Sequence, residues 1–217
     1  LLRTFFQKFD TFADAPNAVA KMRELVLELA FRGRLVEQLA TEGSAMRLHD
    51  MIDSEKKANR GKERNHAPEQ AFEIPSNWEW VGATYPAIMI SDRGKKENTK
   101  NILSNGKYPV VDQGKVFIRG YCNDAEKVIR VAEPIILFGD HTRETKLINF
   151  DFVVGADGVK LFQPVCIDPH FYYLALRWLP IESRGYGRHF KLLKAASIPL
   201  PPLAEQKRIV AKVDELM

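Results

Sequence analysis

Cysteine is scarce in this sequence, and long apolar runs are absent. The two cysteines, Cys122 and Cys166, lie far apart, which favours free thiols over a disulfide framework or a metal site. No apolar run reaches the roughly 18 residues of a membrane-spanning helix. The first residues, beginning at Leu1, lack the basic start and apolar region of a signal peptide. Together these features predict a cytoplasmic protein without a membrane partner.

Sequence motifs for several kinds of catalysis are also missing. An amino-methyltransferase needs an Asn/Asp-Pro-Pro-aromatic loop, whereas the only Pro-Pro pair here lies between leucines. There is no P-loop and no G-x-S-x-G turn, and the histidines (His49, His66, His141, His170 and His189) lack paired-ligand spacing. A nuclease-like set of Asp140, Glu144 and Lys146 remains a weak alternative. We therefore predict no catalytic residues, no metal site and no cofactor.

Positive charge is mild overall but concentrated in two segments. The net charge is +4, which permits an acidic partner without requiring one. Residues 93–119 contain seven Lys or Arg against two acids, and residues 183–204 contain four Lys or Arg and no acid. Such segments can supply salt-dependent contacts to phosphates, although solvated surface loops have the same composition.

The periodicity of the apolar residues changes near residue 72. Before it, helices are predicted over residues 16–39 and 44–58, the second with Ser44 as N-cap and with Leu48, Met51 and Ile52 buried. After it, short β-like runs are separated by Gly, Asn, Asp and Pro, followed by a helix over residues 169–179. The runs are 88–90, 108–111, 116–118, 128–131, 135–138, 147–150, 152–154 and 159–162.

The C-terminal stretch combines prolines with a helical pattern. Pro199, Pro201 and Pro202 end an extended strand, and a helix is predicted from Glu205, which we place on its wetted face. One narrow seam of that helix is Gln206, Ile209, Val213 and Leu216. Its predicted partner is the stripe of the first helix, within the chain or between two copies: Val19, Met22, Val26 and Leu29.

These patterns predict an α+β fold in which helices flank an irregular mixed or antiparallel β domain. The predicted division is an N-terminal helical region (1–60), a basic linker (61–71), a β-rich recognition domain (72–197) and the start of a spacer helix of coiled-coil type (198–217).

Three stretches carry a family resemblance, in order along the chain. They are AVAKMRELVLELAFRGRLVEQ (18–38), FEIPSNWEWV (72–81) and IPLPPLAEQKRIV (198–210). They resemble the N-terminal conserved helix, the opening of a target-recognition domain and its exit in the specificity (S) subunits of type I restriction–modification systems. Between them, YPVVDQGKVFIRGY (108–121) and ILFGDHTRETKLINFDFVVGADGVKLF (136–162) are similar to the body of one recognition-domain class.

The resemblance implies a non-catalytic subunit that binds double-stranded DNA. Its helices would bind methyltransferase (M) subunits, and restriction (R) subunits would join through them. Because only one recognition domain is present, the resemblance predicts a half-subunit or a truncated fragment that reads one half of a bipartite site, unless a second copy pairs with it. A stand-alone DNA-modifying or cleaving enzyme and a helical interaction scaffold remain alternatives.

Candidate DNA contacts follow from residue type and position. Base readout requires paired donors and acceptors at turns beside strands, and the candidates are Gln113, Arg119, His141, Thr142 and Arg143. Phosphate contacts require cations or exposed backbone N–H groups. These candidates are Lys95, Lys96, Lys115, Arg184, Gly185, Gly187, Arg188, His189, Lys191 and Lys194.

Overall fold

The computed structural model describes residues 17–58, 71–155, 157–183, 185 and 187–217. The predicted helix start at residue 16 and residues 61–70 of the predicted linker lie outside them. The described helices are α1 (Ala18–Phe31), α2 (Met46–Ala58), α3 (Pro169–Trp178), α4 (Phe190–Ala195) and α5 (Leu203–Leu216), with 3-10 turns at Ala40–Glu42, Thr99–Asn101 and Ala125–Lys127. The described strands are β1 (Glu79–Gly82), β2 (Ala87–Ile90), β3 (Lys96–Glu97), β4 (Tyr108–Val111), β5 (Gly120–Cys122), β6 (Val128–Ile129), β7 (Ile135–Gly139), β8 (Thr145–Ile148), β9 (Phe152–Gly155), β10 (Val159–Pro164) and β11 (Ser197–Leu200).

Helix α1 ends at Phe31, well before the predicted end at residue 39. The cause is Gly33, whose φ of +65° lies in the left-handed region and reverses the chain. The Arg34 N–H then donates to the Leu29 carbonyl at 2.8 Å, the bond that closes a Schellman motif. A Cβ on Gly33 would lie 2.3 Å from Cγ of Pro75. Gly33 is thus needed both for the turn and for the close approach of Pro75.

Helix α2 begins two residues later than predicted and ends at Ala58 as predicted, and one residue predicted to be buried is exposed. It begins at Met46, two residues after Ser44, whose Oγ accepts a hydrogen bond from the Met46 N–H at 3.2 Å. Leu48 and Ile52 are buried as predicted, but Met51 is exposed, so its predicted burial is wrong. The buried stripe of α2 is therefore narrower than its apolar residues suggest.

In the residues that the structure describes, the β-rich body contains three sheets that are mostly antiparallel. One has the strand order β2-β10-β7-β8 and is antiparallel throughout. The second has the order β3-β9-β4-β5, with β6 also paired to β9, and its β3–β9 and β4–β9 pairs are parallel. The third consists of β1 and β11. The prediction of an irregular mixed or antiparallel domain flanked by helices is confirmed.

Strand β7 lies at the centre of the body and is buried on both faces. Ile136 and Phe138 belong to the large core shared with the helices, whereas Ile135 and Leu137 belong to a second core between the two larger sheets. Successive side chains point to opposite faces of a strand, so a strand covered on both sides has a continuous apolar run. This explains the uninterrupted sequence Ile-Ile-Leu-Phe of β7.

One predicted strand is wrong. Residues 116–118 lie in the loop between β4 and β5, with their side chains exposed. The strands β3 and β5 and the helix α4 were not predicted, since runs of two to six residues carry too little periodicity to identify an element.

The entry and exit strands of the body pair with each other. In the antiparallel pair of β1 and β11, Trp80 lies opposite Pro199 and Glu79 lies opposite Leu200. Pro199 is tolerated because β11 pairs with β1 alone among the described strands, so the side of the strand without a ladder can lack a donor. Helix α5 starts three residues after β11 ends, with Pro202 as its N-cap residue.

Helices α1 and α5 pack together as an antiparallel pair within the chain. Leu29, Ile209 and Val213 belong to the large core, with Val26 packed against it. At the other end, Val19 is 63% exposed and Leu216 is 38% exposed, and the Arg23 guanidinium reaches the Met217 carbonyl at 3.4 Å. Met22 is half-buried and lies outside that core. The inner residues of the predicted seam thus lie at the contact of the two helices, whereas Val19 and Leu216 remain exposed.

Glu205 is fully buried, so its predicted place on the wetted face of α5 is wrong. One carboxylate oxygen accepts a hydrogen bond from Trp78 Nε1 at 2.9 Å, and the other accepts one from the Gln38 amide. Burial raises the pKa of this carboxyl. The first turn of α5 is therefore bonded to the segment that precedes β1.

Both cysteines are free thiols, as the sequence analysis favoured. None of the helices in the described part of the chain is long and apolar enough to cross a membrane.

Candidate nucleic-acid interface

Three turns at one edge of the body meet at Gln113. The turn between β7 and β8 is closed by the Arg143 N–H, which donates to the Gly139 carbonyl at 2.8 Å. The side chain of Gln113 donates to the Asp157 carbonyl at 2.8 Å and accepts from the His141 N–H at 3.0 Å. The Thr142 hydroxyl donates to the Gln113 carbonyl at 2.6 Å. Three of the five predicted base-readout residues, Gln113, His141 and Thr142, are thus brought together.

Glycine allows these turns to approach closely. Gly158 has a φ of +83°, and a Cβ there would lie 2.7 Å from the His141 ring and 2.8 Å from the Gln113 amide. A Cβ on Gly139 would lie 2.3 Å from the Thr142 hydroxyl. Larger residues at either position would push the turns apart.

The predicted base-readout residues differ in how many of their side-chain donors and acceptors already form hydrogen bonds within the protein. Gln113 uses both ends of its amide inside the protein, so it braces the turns. Arg143 is exposed and has a φ of +65°, and one guanidinium nitrogen donates to the Ile181 carbonyl at 2.8 Å. Its remaining donors are available for a forked contact. Arg119 is exposed on the neighbouring loop, 3.9 Å from the Asp112 carboxylate.

A cleft of about 420 Å³ opens beside the turn that carries Arg143. Its cationic lining residues come from the β4–β5 loop, the turn and the end of α3, and they are Lys115, Arg143, Lys146 and Arg177. Glu144 is the acid among the lining residues. The charge of the cleft is therefore mainly positive. Arg177 is a member that the sequence analysis did not identify, since it stands as a single cation in a largely apolar helix, outside both basic segments.

A second basic cleft, of about 490 Å³, lies against α4. It is lined by Asp140, Lys160, Arg188, Phe190, Lys191 and Lys194. The ammonium groups of Lys160 and Lys194 lie 5.3 and 5.8 Å from the centre of the Phe190 ring. Lys160 was missed by the sequence analysis because it stands alone on β10, and only the sheet brings it to the basic segment.

His189 is fully buried, so its predicted contact with phosphate is wrong. Its ring Nδ1 lies 2.9 Å from the Asp140 carbonyl oxygen, and its backbone N–H donates to the same oxygen. The Asp140 carboxylate accepts from the Phe190 N–H at 2.7 Å, at the start of α4. The pair fastens α4 to the end of β7, which positions the lysines of the second cleft.

The other predicted phosphate contacts lie in several environments. Lys96 forms ion pairs with Asp157 and Asp92 at 2.9 and 3.2 Å, and the hydrogen bond that it donates to Asp157 raises its pKa. Lys95 donates to the Glu126 carbonyl. Gly185 is exposed with a φ of +60°, and the Gly187 carbonyl oxygen lies 3.3 Å from His141 Nδ1. Arg184 lies outside the described residues.

The nuclease-like alternative is not supported by the geometry. Lys146 is buried, and its ammonium donates to the carbonyls of Asp112 and Val116 at 2.8 and 2.7 Å. The Asp140 carboxylate already accepts a hydrogen bond from the Phe190 N–H of α4. Within the ranges that the structure describes, no group of three or more His, Cys, Asp or Glu could hold a metal ion.

Comparison with known proteins identifies the family. The model of the type I restriction modification DNA specificity domain matches residues 87–217. The Escherichia coli type I restriction enzyme EcoAI specificity subunit is 38% identical over 236 residues, covering 92% of this chain and 39% of that protein. The corresponding EcoEI subunit is 26% identical over 238 residues, with the same coverage of 92% and 39%. The chain thus spans about two fifths of the length of these relatives.

Solved structures show the same fold. The crystal structure of a type I restriction–modification S subunit from M. genitalium matches 99% of this chain and 51% of that chain, with a TM-score of 0.52 and 16% identity. A chain from a structure of type I R-M complex assembly and conformational transition matches 91% of this chain and 50% of that one, with a TM-score of 0.53 and 22% identity. The family model covers more than half of the sequence, and we conclude that this chain belongs to the type I restriction modification DNA specificity domain family.

Proposed function

We propose that this chain is a DNA-recognition module of a type I restriction–modification specificity subunit. It reads one half of a bipartite duplex site and has no catalytic activity of its own. The observation that carries this proposal is the pair of basic clefts beside the braced turns. Cations at a concave surface supply phosphate contacts, and an exposed arginine on a rigid turn can recognise a base edge.

The proposal assigns different roles to the parts of the chain. Residues 72–197 form the reader, and the flanking parts, 1–60 and 198–217, form a helical spacer to which methyltransferase subunits bind, with restriction subunits joining through them. The named relatives are specificity subunits of type I restriction enzymes, which supports this division. Phosphate contacts are assigned to Lys115, Lys160, Arg188, Lys191 and Lys194, and base readout is assigned to Arg143 with Arg119.

The test distinguishes contacts to bases from contacts to phosphates. A duplex is first selected from a random-sequence library by binding to the chain, alone or together with the methyltransferase subunit. Arg143→Ala is expected to lose about 1–3 kcal/mol on the selected duplex and little on random duplexes, the value of one bidentate base contact. Lys191→Ala is expected to weaken both duplexes equally and to reduce the salt slope by about 1.

The matched control is Lys57→Ala, which removes an exposed lysine of α2 and should leave the DNA binding of the chain alone unchanged. Equal losses for Arg143→Ala on both duplexes would remove the readout role. Methylation or cleavage by the chain without an added methyltransferase subunit would overturn the non-catalytic assignment. A chain that shifts no duplex even beside that subunit would favour an interaction scaffold instead.

A further inference from the structure

The loop between β4 and β5 exposes three consecutive apolar side chains. Val116 is 61% exposed, Phe117 is 43% exposed and Ile118 is 37% exposed. Lys115 and Arg119, on either side of them, are exposed as well. Single exposed apolar residues are ordinary, but three in a row at the tip of a loop are unfavourable in water unless a partner covers them. We call residues 116–118 the apolar tip.

The tip is held rigidly from inside the protein. Lys146 of β8 is buried, and its ammonium donates to the carbonyls of Asp112 at 2.8 Å, Val116 at 2.7 Å and Phe117 at 3.5 Å. Burial lowers the pKa of Lys146, which reflects the cost of placing this cation away from water. Such a cost is tolerated only where the bonds to the charge are made. The bonds fix the backbone of the loop from its base to Phe117.

Two further contacts define the shape of the tip. The Arg119 N–H donates to the Val110 carbonyl at 2.8 Å and closes the loop at its base. The Phe117 ring packs edge-on against Phe150, with centroids 6.0 Å apart. Phe117 is 43% exposed, so more than half of this residue is covered by its own protein. It presents a shallow apolar surface.

The surroundings of the tip are cationic. Phe117 lines the cleft that contains Lys115, Arg143 and Arg177. A partner that fits must be apolar at the centre and anionic around it. The major groove of duplex DNA has both properties where a thymine presents its C5-methyl group between two phosphate backbones. A protein partner would need an acidic rim around an apolar centre.

We infer that the apolar tip contacts thymine methyl groups in the major groove and so contributes to the sequence preference of the chain. The inference rests on the proposed DNA-binding function and extends it from hydrogen-bonded to apolar readout. Arg143 and Phe117 line the same cleft, so Arg143 supplies donors there and the tip supplies an apolar surface. Together they would distinguish a thymine-containing step from its cytosine analogue.

The experiment replaces each thymine of the library-selected duplex by uracil, which removes only the methyl group. In the wild-type chain, at least one replacement is expected to weaken binding roughly fourfold, the value of one buried methyl-sized group. In Phe117→Ala that replacement should have no effect, and the salt slope should be unchanged, because no phosphate contact is lost. Phe117→Leu should restore part of the sensitivity. Met51→Ala, which removes an exposed apolar residue of α2, is the matched control when the chain is assayed without the methyltransferase subunit.

Four results would overturn the inference. Insensitivity of the wild-type chain to every uracil replacement overturns the inference, as does equal sensitivity in Phe117→Ala. In both cases a salt-dependent duplex shift by the wild-type chain leaves the proposed function standing. Concentration-dependent self-association that Phe117→Ala abolishes, without a change in DNA binding, assigns the tip to a protein interface and overturns the inference. Failure to bind any duplex overturns both proposals.

Discussion

Glu97 shows how one buried carboxylate organises the edge of a sheet. It accepts hydrogen bonds from Lys127 Nζ at 2.9 Å, from the Cys122 thiol at 3.1 Å and from the Asn98 N–H at 2.9 Å. The hydrogen bond from Lys127 is the main cause that lowers its pKa from 4.5 to about 2. The group thereby connects β3, β5 and the 3-10 turn before β6.

This pKa shift predicts a pH dependence of stability. Because the folded pKa is depressed, the stabilisation is complete above the unfolded value of 4.5 and is lost as the pH falls toward about 2. Glu97→Gln should lower the thermal midpoint at pH 7, and its difference from the wild-type protein should shrink between pH 4.5 and 2. The control is Glu133→Gln at an exposed position. Parallel curves for wild type and Glu97→Gln across that range would contradict the prediction.

At the scale of elements, the junction between the body and α5 depends on Glu205. Its carboxylate accepts hydrogen bonds from Trp78 Nε1 and from Gln38. The helix is therefore bonded to the segment after α1 and to the segment before β1. A change that removes the acceptors leaves a buried donor on Trp78 unsatisfied, and such a donor costs about 1–3 kcal/mol.

We therefore expect Glu205→Leu to lower the free energy of unfolding in urea by about 1–3 kcal/mol. Glu205→Gln keeps an acceptor oxygen for Trp78 and removes a buried charge, so it should destabilise the protein less than Glu205→Leu does. Lys207→Ala, at an exposed position of the same helix, serves as the control. A stable Glu205→Leu protein would mean that Trp78 finds another acceptor.

Periodicity predicted the longer elements because the spacing of apolar residues within each of them is enough to identify the element. The strand at residues 108–111 was predicted with both ends correct, and α3 to within one residue. What failed depended on distant partners. Glu205 is charged and helical, so only the position of Trp78, 127 residues away, reveals its burial. Residues 116–118 have the composition of a strand, but Lys146 holds them as a loop.

The candidate interface was predictable by residue type and not by arrangement. The acid-free segment pointed to Arg188, Lys191 and Lys194, which do line one cleft. Lys160 lines one cleft and Arg177 lines the other only because the fold places them there. His189 has the same local sequence context as its basic neighbours but turns inward to Asp140. Sequence patterns reveal where charge is concentrated, whereas the direction of each side chain depends on packing.

At the scale of the whole molecule, helices from opposite ends of the chain form one antiparallel pair. Ile209 and Val213 of α5 share a core with Leu29 of α1. This contact joins residues that are far apart in sequence, so it closes a long loop and couples the helices to the folding of the body between them.

Ile209→Ala is expected to cost about 2–5 kcal/mol of stability, the range for a buried aliphatic side chain. Leu216→Ala, on the exposed part of the same seam, should cost less than about 0.5 kcal/mol. Because the pair forms within one chain, the thermal midpoint should not depend on protein concentration. A midpoint that rises with concentration would indicate that two copies exchange their helices.

The pairing of β1 with β11 has a consequence for how this architecture can change. The Ala83 N–H donates to the Ala196 carbonyl at 2.9 Å, so the chain leaves the body where it entered. The body between these residues is in effect a long insertion in a helical hairpin, and insertions whose ends meet are tolerated best. The bonds of Trp78 and Glu205 lie outside that insertion. One β-rich body can therefore be exchanged for another while the helical frame keeps its geometry.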